Sequence, residues 1–179
     1  MSGKEDKSDV TVSGVFSTPS LSVIIPVYNE ESYIGKVIEK VLSLDSNIEI
    51  VAVNDGSADN TGRILDRFSE QYPDRVKVIH CPTNLGKGSA IRTGIGHVRG
   101  EVVIIQDADL EYDPEDILKV IKPIRDGKAS VVYGSRVLAQ NPRFKNSYYW
   151  GGRFLSIATN LLYGTHITDE PTCYSISNS

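Results

Sequence analysis

Cysteine is scarce, and no apolar run comes near the length that crosses a bilayer. The two cysteines, Cys81 and Cys173, lie far apart and in no metal-ligand spacing. They read as reduced thiols of an intracellular protein. A membrane-spanning helix needs roughly 18 consecutive apolar residues, and the chain offers none, so it reads as soluble or peripheral. An excess of positive charge is also missing. The formal net charge of −4 removes the signature of a nucleic-acid binder or a polybasic membrane anchor. Residues 1–20 lack the apolar stretch of a signal peptide; being polar and rich in Ser, Lys and Asp, they are expected to form a disordered tail.

What is present is ordinary for a globular protein. A chain of 179 residues with 40% hydrophobic and 23% charged side chains suits one domain with a buried core. From Leu21 onward, short apolar runs alternate with helical patterns. Strands are expected at Leu21–Val27, Ile48–Val53, Val76–His80, Val102–Gln106 and Ser130–Tyr133. Between them, Ile34, Val37, Ile38, Val41 and Leu42 share one helical face, and Ile64, Leu65 and Phe68 share another. Asp59 or Asn60 suits the cap of the second helix. Ala90, Ile91, Ile95 and Val98 mark the apolar side of a third, glycine-punctuated helix. Asp113-Pro114 opens a fourth, with Asp116 in its first turn. Such alternation implies βαβ units, an α/β fold with a mainly parallel sheet flanked by helices, and a ligand site beyond the carboxyl ends of the strands.

Three of those strand ends carry acids: Asn29-Glu30, Asn54-Asp55, and Asp107-Ala108-Asp109 with Glu111. Asp59 and Asp113 are read as caps or turn residues. Asp107 and Asp109 follow a continuous apolar strand, so the chain leaves the core and at once presents two carboxylates. Two ionised carboxylates ~4 Å apart repel by about 4 kcal/mol at an effective dielectric near 20. A hard divalent cation, Mg²⁺ or Mn²⁺, removes that cost and takes its other oxygens from phosphate. Asn84-Leu85-Gly86-Lys87-Gly88-Ser89-Ala90 has two readings, a phosphate cradle at a helix start or close helix packing with an exposed lysine. Arg136, after the fifth strand, is either a phosphate ligand or a surface cation.

Together these pieces resemble the family 2 glycosyltransferases, which share the GT-A fold. Ser22-Val23-Ile24-Ile25-Pro26-Val27-Tyr28-Asn29-Glu30 is similar to that family's first-strand signature, and Val53-Asn54-Asp55-Gly56-Ser57 with Asp59-Asn60-Thr61 to its second. Asn84 to Ala90, Asp107-Ala108-Asp109, Gly134-Ser135-Arg136 and Thr168-Asp169 through Cys173-Tyr174 continue in the same order. Within the family the chain most resembles the polyprenyl-phosphate sugar transferases, such as dolichyl-phosphate mannose or glucose synthases.

The resemblance implies an inverting, metal-dependent transfer of sugar from a UDP- or GDP-linked donor to a polyprenyl phosphate or a glycan. By it, Pro26, Tyr28, Glu30, Val53 and Asp55 surround base and ribose, with Lys87 also on the donor. Asp107, Ala108 and Asp109 hold metal and diphosphate, Glu111 adds an oxygen ligand, and Arg136 meets phosphate. Asp169 is the general base for a hydroxyl acceptor. A lipid phosphate is already an anionic nucleophile, and Arg153 and Ser156 are then the acceptor-side candidates. Tyr148–Tyr163 reads as a helix that packs in a core or lies on a membrane surface.

After Tyr174 the chain reads Ser175-Ile176-Ser177-Asn178-Ser179, which departs from the family's pattern. The resulting expectation is a tail over 1–20, a donor-binding core over 21–140, and an incomplete acceptor-side region over 141–179. The protein is placed in the cytoplasm, peripheral to the cytoplasmic face of a membrane where the acceptor is a lipid. A non-catalytic nucleotide-sugar-binding module is the alternative. Dehydrogenases and sugar nucleotidyltransferases are disfavoured because the first strand ends without a glycine-rich turn. An aspartyl phosphatase is disfavoured because Asp107 follows the fourth strand.

Overall fold

The computed structural model describes residues 20–110, 113–133 and 175–178. The tail before Ser20, the Tyr148–Tyr163 segment, Glu111, Arg136, Arg153, Ser156 and Asp169 lie outside the described residues. Strands β1 (Leu21–Val27), β2 (Ile48–Asp55), β3 (Val76–Cys81) and β4 (Val102–Ile105) run parallel, in the spatial order β3-β2-β1-β4. Helices α1 (Ile34–Leu44), α2 (Thr61–Gln71) and α3 (Lys87–Ile95) make the crossovers, and α4 (Asp116–Arg125) leads to β5 (Val131–Tyr133). The order reverses between β1 and β4, which is where an open α/β sheet leaves a crevice.

Residues 175–178 differ from expectation. They form β6 (Ser175–Asn178), antiparallel to both β4 and β5 and set between them. Its sequence, Ser-Ile-Ser-Asn, has one apolar residue and no alternation for a pattern to reveal. What makes it a strand is a ladder on both edges, with Ile176 paired to Ile104 on one side and Val132 on the other. Part of the segment expected on the acceptor side thus belongs to the central sheet.

Side-chain alternation splits the core in two. Leu21, Val23, Ile25 and Val27 of β1 pack with Ile48, Ile50 and Ala52 of β2 against α1, α2 and α4. Ile24, Val51 and Val53 point the other way, towards Ala90 of α3. Both faces of β1 and β2 are covered, which is why these strands read as unbroken apolar runs.

Helix α3 packs on a different stripe from the expected one. Ala90 and Gly94 are its buried positions, while Ile95 is exposed. An added Cβ at Gly94 would lie 2.6 Å from Ile24 Cγ2, so only glycine lets the helix approach β1 this closely. Gly94→Ala is therefore expected to destabilise the fold by about 1–3 kcal/mol through overpacking, against the usual helix gain for alanine, as urea unfolding would show.

At the amino ends of the strands, Ser22 of β1 stands opposite Glu49 of β2. The Glu49 carboxylate is almost fully buried, its side chain 5% exposed. It accepts hydrogen bonds from Ser22 Oγ, from the backbone N–H groups of Arg99 and Gly100, and from Arg99 Nε at 2.7 Å. This network fixes the turn that feeds β4.

Candidate functional site

Strand β2 runs two residues further than its apolar pattern, through Asn54 and Asp55. Pairing on both sides extends it: Asn54 stands beside Val27 and His80, and Asp55 beside Cys81. Alternation then sends Asn54 and Asp55 to opposite faces of the sheet. Asp55 is buried and reaches the loop before α3, where its two oxygens accept the N–H groups of Leu85 at 3.0 Å and Gly86 at 2.7 Å. Gly56, at φ +73°, lies so close to the same loop that a Cβ would fall 2.7 Å from Asn84 N. The segment 84–86 is thereby clamped beside the end of β2. Asp55→Asn would set an amide N–H₂ against one of those donors. It is expected to cost about 1–3 kcal/mol and to speed hydrogen exchange at Leu85 and Gly86.

A second lacing joins the turns after β1 and β2. Asn29 N–H donates to Ser57 Oγ, and Asn29 Oδ1 accepts from Ala58 N–H. Glu30 N–H donates to Thr61 Oγ1, and Glu31 accepts from both nitrogens of Asn60. Asp59 caps α2 by accepting the Thr61 N–H, although Asn60 is the flanking residue. Asn29 itself sits at φ +54°, a left-handed conformation that asparagine tolerates better than most residues.

These clamps border a cleft of about 350 Å³ at the carboxyl ends of β1, β2 and β4. Pro26, Tyr28 and Glu30 come from the first strand end, Asp55 from the second, and Asp107, Ala108 and Asp109 from the fourth. Asn84, Gly86, Lys87 and Ala90 close it from the α3 side. Tyr28 is about half exposed. Lys87 Nζ lies 2.5 Å from Asp107 Oδ1. The lysine of the glycine-rich segment is therefore a member of the acid cluster, and not simply a surface cation.

The acids feel one another. Burial pushes the Glu30 carboxyl above its ordinary value, and the charges of Asp109, Asp59 and Asp107 push it in the same direction. Among the described residues no group of three His, Cys, Asp or Glu side chains gathers as a ready metal cage. The donor set of Asp107 and Asp109 still suits a hard cation, which completes its shell with phosphate and water. The negative charge that Asp109, Asp59 and Asp107 place around Glu30 favours such an occupant.

Most of the expected donor residues therefore meet at one cleft. Val53 does not: it is fully buried beneath α3 with Ile24, Val51 and Ala90, so its side chain contacts the core. Sequence reasoning missed the lacing residues Asn29, Ser57 and Thr61. Asn29 and Ser57 stand in the motifs, but nothing in their spacing says that they bond each other. No described helix is long and apolar enough to cross a membrane.

The model of the family described as "Glycosyl transferase family 2" matches residues 22–178. A dolichyl-phosphate beta-glucosyltransferase of Trichomonas vaginalis is 36% identical over 169 residues, covering 86% of this chain and 51% of that protein. An undecaprenyl-phosphate 4-deoxy-4-formamido-L-arabinose transferase of Edwardsiella ictaluri is 35% identical over 111 residues, covering 60% of this chain and 34% of that one. This chain thus spans about half the length of the first relative and about a third of the second. Among solved structures, a mannosyltransferase of Pyrobaculum calidifontis in complex with GDP-Man and Mn²⁺ shares the fold. It has a TM-score of 0.62 at 24% identity and covers 91% of this chain and 45% of its own.

Proposed function

The chain belongs to glycosyl transferase family 2, and on that footing we propose that it is the donor-binding part of an enzyme moving sugar from a nucleotide-sugar to a polyprenyl phosphate. The observation that carries this reading is the cleft itself, in which Asp107, Asp109 and Lys87 meet at the sheet's switch point. The names of the relatives support a dolichyl- or undecaprenyl-type acceptor.

In this reading Pro26, Tyr28 and Asp55 flank base and ribose. Asp55 holds the wall of the pocket by its two backbone bonds and uses its remaining lone pairs for the ligand. Asp107 and Asp109 hold a divalent cation, with Glu111 as a third oxygen. When bound, that cation offsets the negative charge that grows on the departing diphosphate. Lys87 and the N-terminus of α3 face the same phosphates and contribute in the same sense. Arg136 is assigned to phosphate, Arg153 and Ser156 to the acceptor, and Asp169 to proton removal from a hydroxyl acceptor. A phosphate acceptor needs no such base. Residues 141–174 supply the acceptor side, and membrane association follows from a lipid acceptor.

Calorimetry with UDP-glucose and GDP-mannose tests the reading, first with Mn²⁺ and then with chelator. One donor is expected to bind only with metal present. A folded chain that bound neither would overturn the proposal. Absence of sugar transfer to a polyprenyl phosphate, despite donor binding, would reduce it to a binding module.

A further inference from the structure

A line of side chains runs from the outer edge of the sheet to the donor cleft, through residues that the proposed chemistry does not use. His80 stands on the edge strand β3, on the face covered by α2. Its Nε2 lies 2.9 Å from Asp66 Oδ1 of α2, and its Nδ1 lies 3.0 Å from Asn54 Nδ2 of β2. Asn54 Oδ1 in turn accepts the Ser57 N–H at 3.0 Å. Ser57 Oγ accepts the N–H of Asn29, the residue between Tyr28 and Glu30 at the cleft.

The hydrogen-bond directions select one form of the ring. The Ser57 N–H can only donate, so it fixes the Asn54 oxygen on its side and turns the Asn54 N–H₂ towards His80. His80 Nδ1 must then be an acceptor, which leaves the proton on Nε2, where Asp66 accepts it. Neutral His80 with an Nε2–H satisfies every group in the line. Protonated His80 does not, because its Nδ1–H would face the Asn54 N–H₂, donor against donor. Turning the amide over to meet the ring would present N–H₂ to the Ser57 N–H and lose that bond instead.

We infer that His80 is a positioning residue for the donor cleft, and that its neutral Nε2–H form sets the Asn54–Ser57–Asn29 link holding the turns after β1 and β2. The geometry leaves little slack. A Cβ at Gly62 of α2 would lie 3.3 Å from Asn54 Nδ2 and 3.7 Å from His80 Cε1, so α2 lies directly over the contact. The groups facing the ring are few among the described residues. Asp66 is the ionised one, from α2; β2 offers the neutral Asn54, and β3 itself carries Val76 and Val78 on that face. His80 and Asp66 side chains are 44% and 57% exposed, so protons reach the ring freely. A proton on Nδ1 would therefore cost either the His80–Asn54 contact or the bond that Ser57 N–H makes to Asn54 Oδ1.

This rests on reading the cleft as the donor site, and the test separates the two ideas. His80→Gln keeps one acceptor and one donor but cannot titrate; His80→Ala keeps neither. In the ligand-free chain, the Ser57 amide resonance and its exchange rate are followed by NMR between about pH 7.5 and 5.5. The Ser57 amide is expected to move with pH in the parent, to stay constant in His80→Gln, and to exchange faster at every pH in His80→Ala. In calorimetry with Mn²⁺ and UDP-glucose or GDP-mannose, the parent is expected to lose about three- to tenfold in affinity more than His80→Gln on acidification. That is the worth of one neutral hydrogen bond. A Ser57 amide indifferent to His80 in both variants would overturn the link. A responsive amide with identical donor affinities in parent and His80→Gln at low pH would overturn the positioning role. Binding of neither donor, with Ser57 still following His80, would sink the donor reading while supporting the link.

Discussion

Glu49→Ala is expected to cost about 3–5 kcal/mol of stability, enough to leave a marginal domain largely unfolded at 25 °C. The carboxylate is nearly out of contact with water, yet it is the shared acceptor for Ser22 Oγ, two backbone N–H groups and the Arg99 guanidinium. Alanine would strand these donors at the buried end of β1 and in the turn before β4. Loss of such partners costs far more than the net worth of the pair. Glu49→Gln, which keeps the shape but presents two donors, is expected to recover only part of the loss. Urea unfolding of the three proteins measures both. A Glu49→Ala chain within 1 kcal/mol of the parent would show that the network is dispensable.

The same group makes a prediction about acid. Burial alone would raise the Glu49 carboxyl, but the hydrogen bonds from Ser22 and Arg99 and the Arg99 charge outweigh it, so its pKa lies below the ordinary carboxylate value. A depressed folded-state pKa contributes stability that is fully present above the unfolded value and lost as pH falls through the folded one. Glu49 therefore weakens the fold only below the ordinary carboxylate value of 4.5. Glu30 has the opposite sign. Its pKa is raised, so its contribution is fully present below 4.5 and is lost as pH rises through its higher folded value.

Asp109→Ala is expected to abolish metal-dependent donor binding, weakening it by at least about 100-fold, with no comparable loss of stability. Asp109 lines the cleft and adds its charge to the cluster that raises Glu30. Removing it takes away half of the described oxygen set and relieves repulsion within the free protein. Asp107 offers a contrasting case because of its ion pair with Lys87. Asp107→Ala should remove metal binding too, and also release Lys87 from its ion pair. The informative comparison is the residual, metal-free affinity for nucleotide in the two variants. If Asp109→Ala bound donor as tightly as the parent in Mn²⁺, the assignment of the acids would be wrong.

The parallel core was largely legible from the chain. Apolar runs marked β1 to β4, and acids after β1, β2 and β4 marked the cleft, because both signals are local. The structure brings Pro26, Tyr28, Glu30, Asp55, Lys87, Asp107 and Asp109 to that one cleft. Three things were hidden for physical reasons. The α3 stripe was misread because a glycine, not an isoleucine, makes the closest approach to β1. The burial of the Val53 side chain was not visible in its motif, because alternation turns it inward beside neighbours that face the cleft. The His80–Asn54 contact joins residues 26 positions apart, and no pattern within either strand foretells it.

The placement of β6 has a consequence for how the polypeptide acquires its shape as it leaves the ribosome. Among the described residues β5 does not touch β4; β6, about forty residues after β5 in the chain, lies between them. Until those residues emerge, β4 is a naked edge with unpaired backbone groups beside Asp107 and Asp109, and β5 has no sheet to join. At synthesis speeds of ~5–20 residues per second, that edge stays open for several seconds. During this interval a neighbouring nascent chain can pair with it, a few residues before the acids of the cleft.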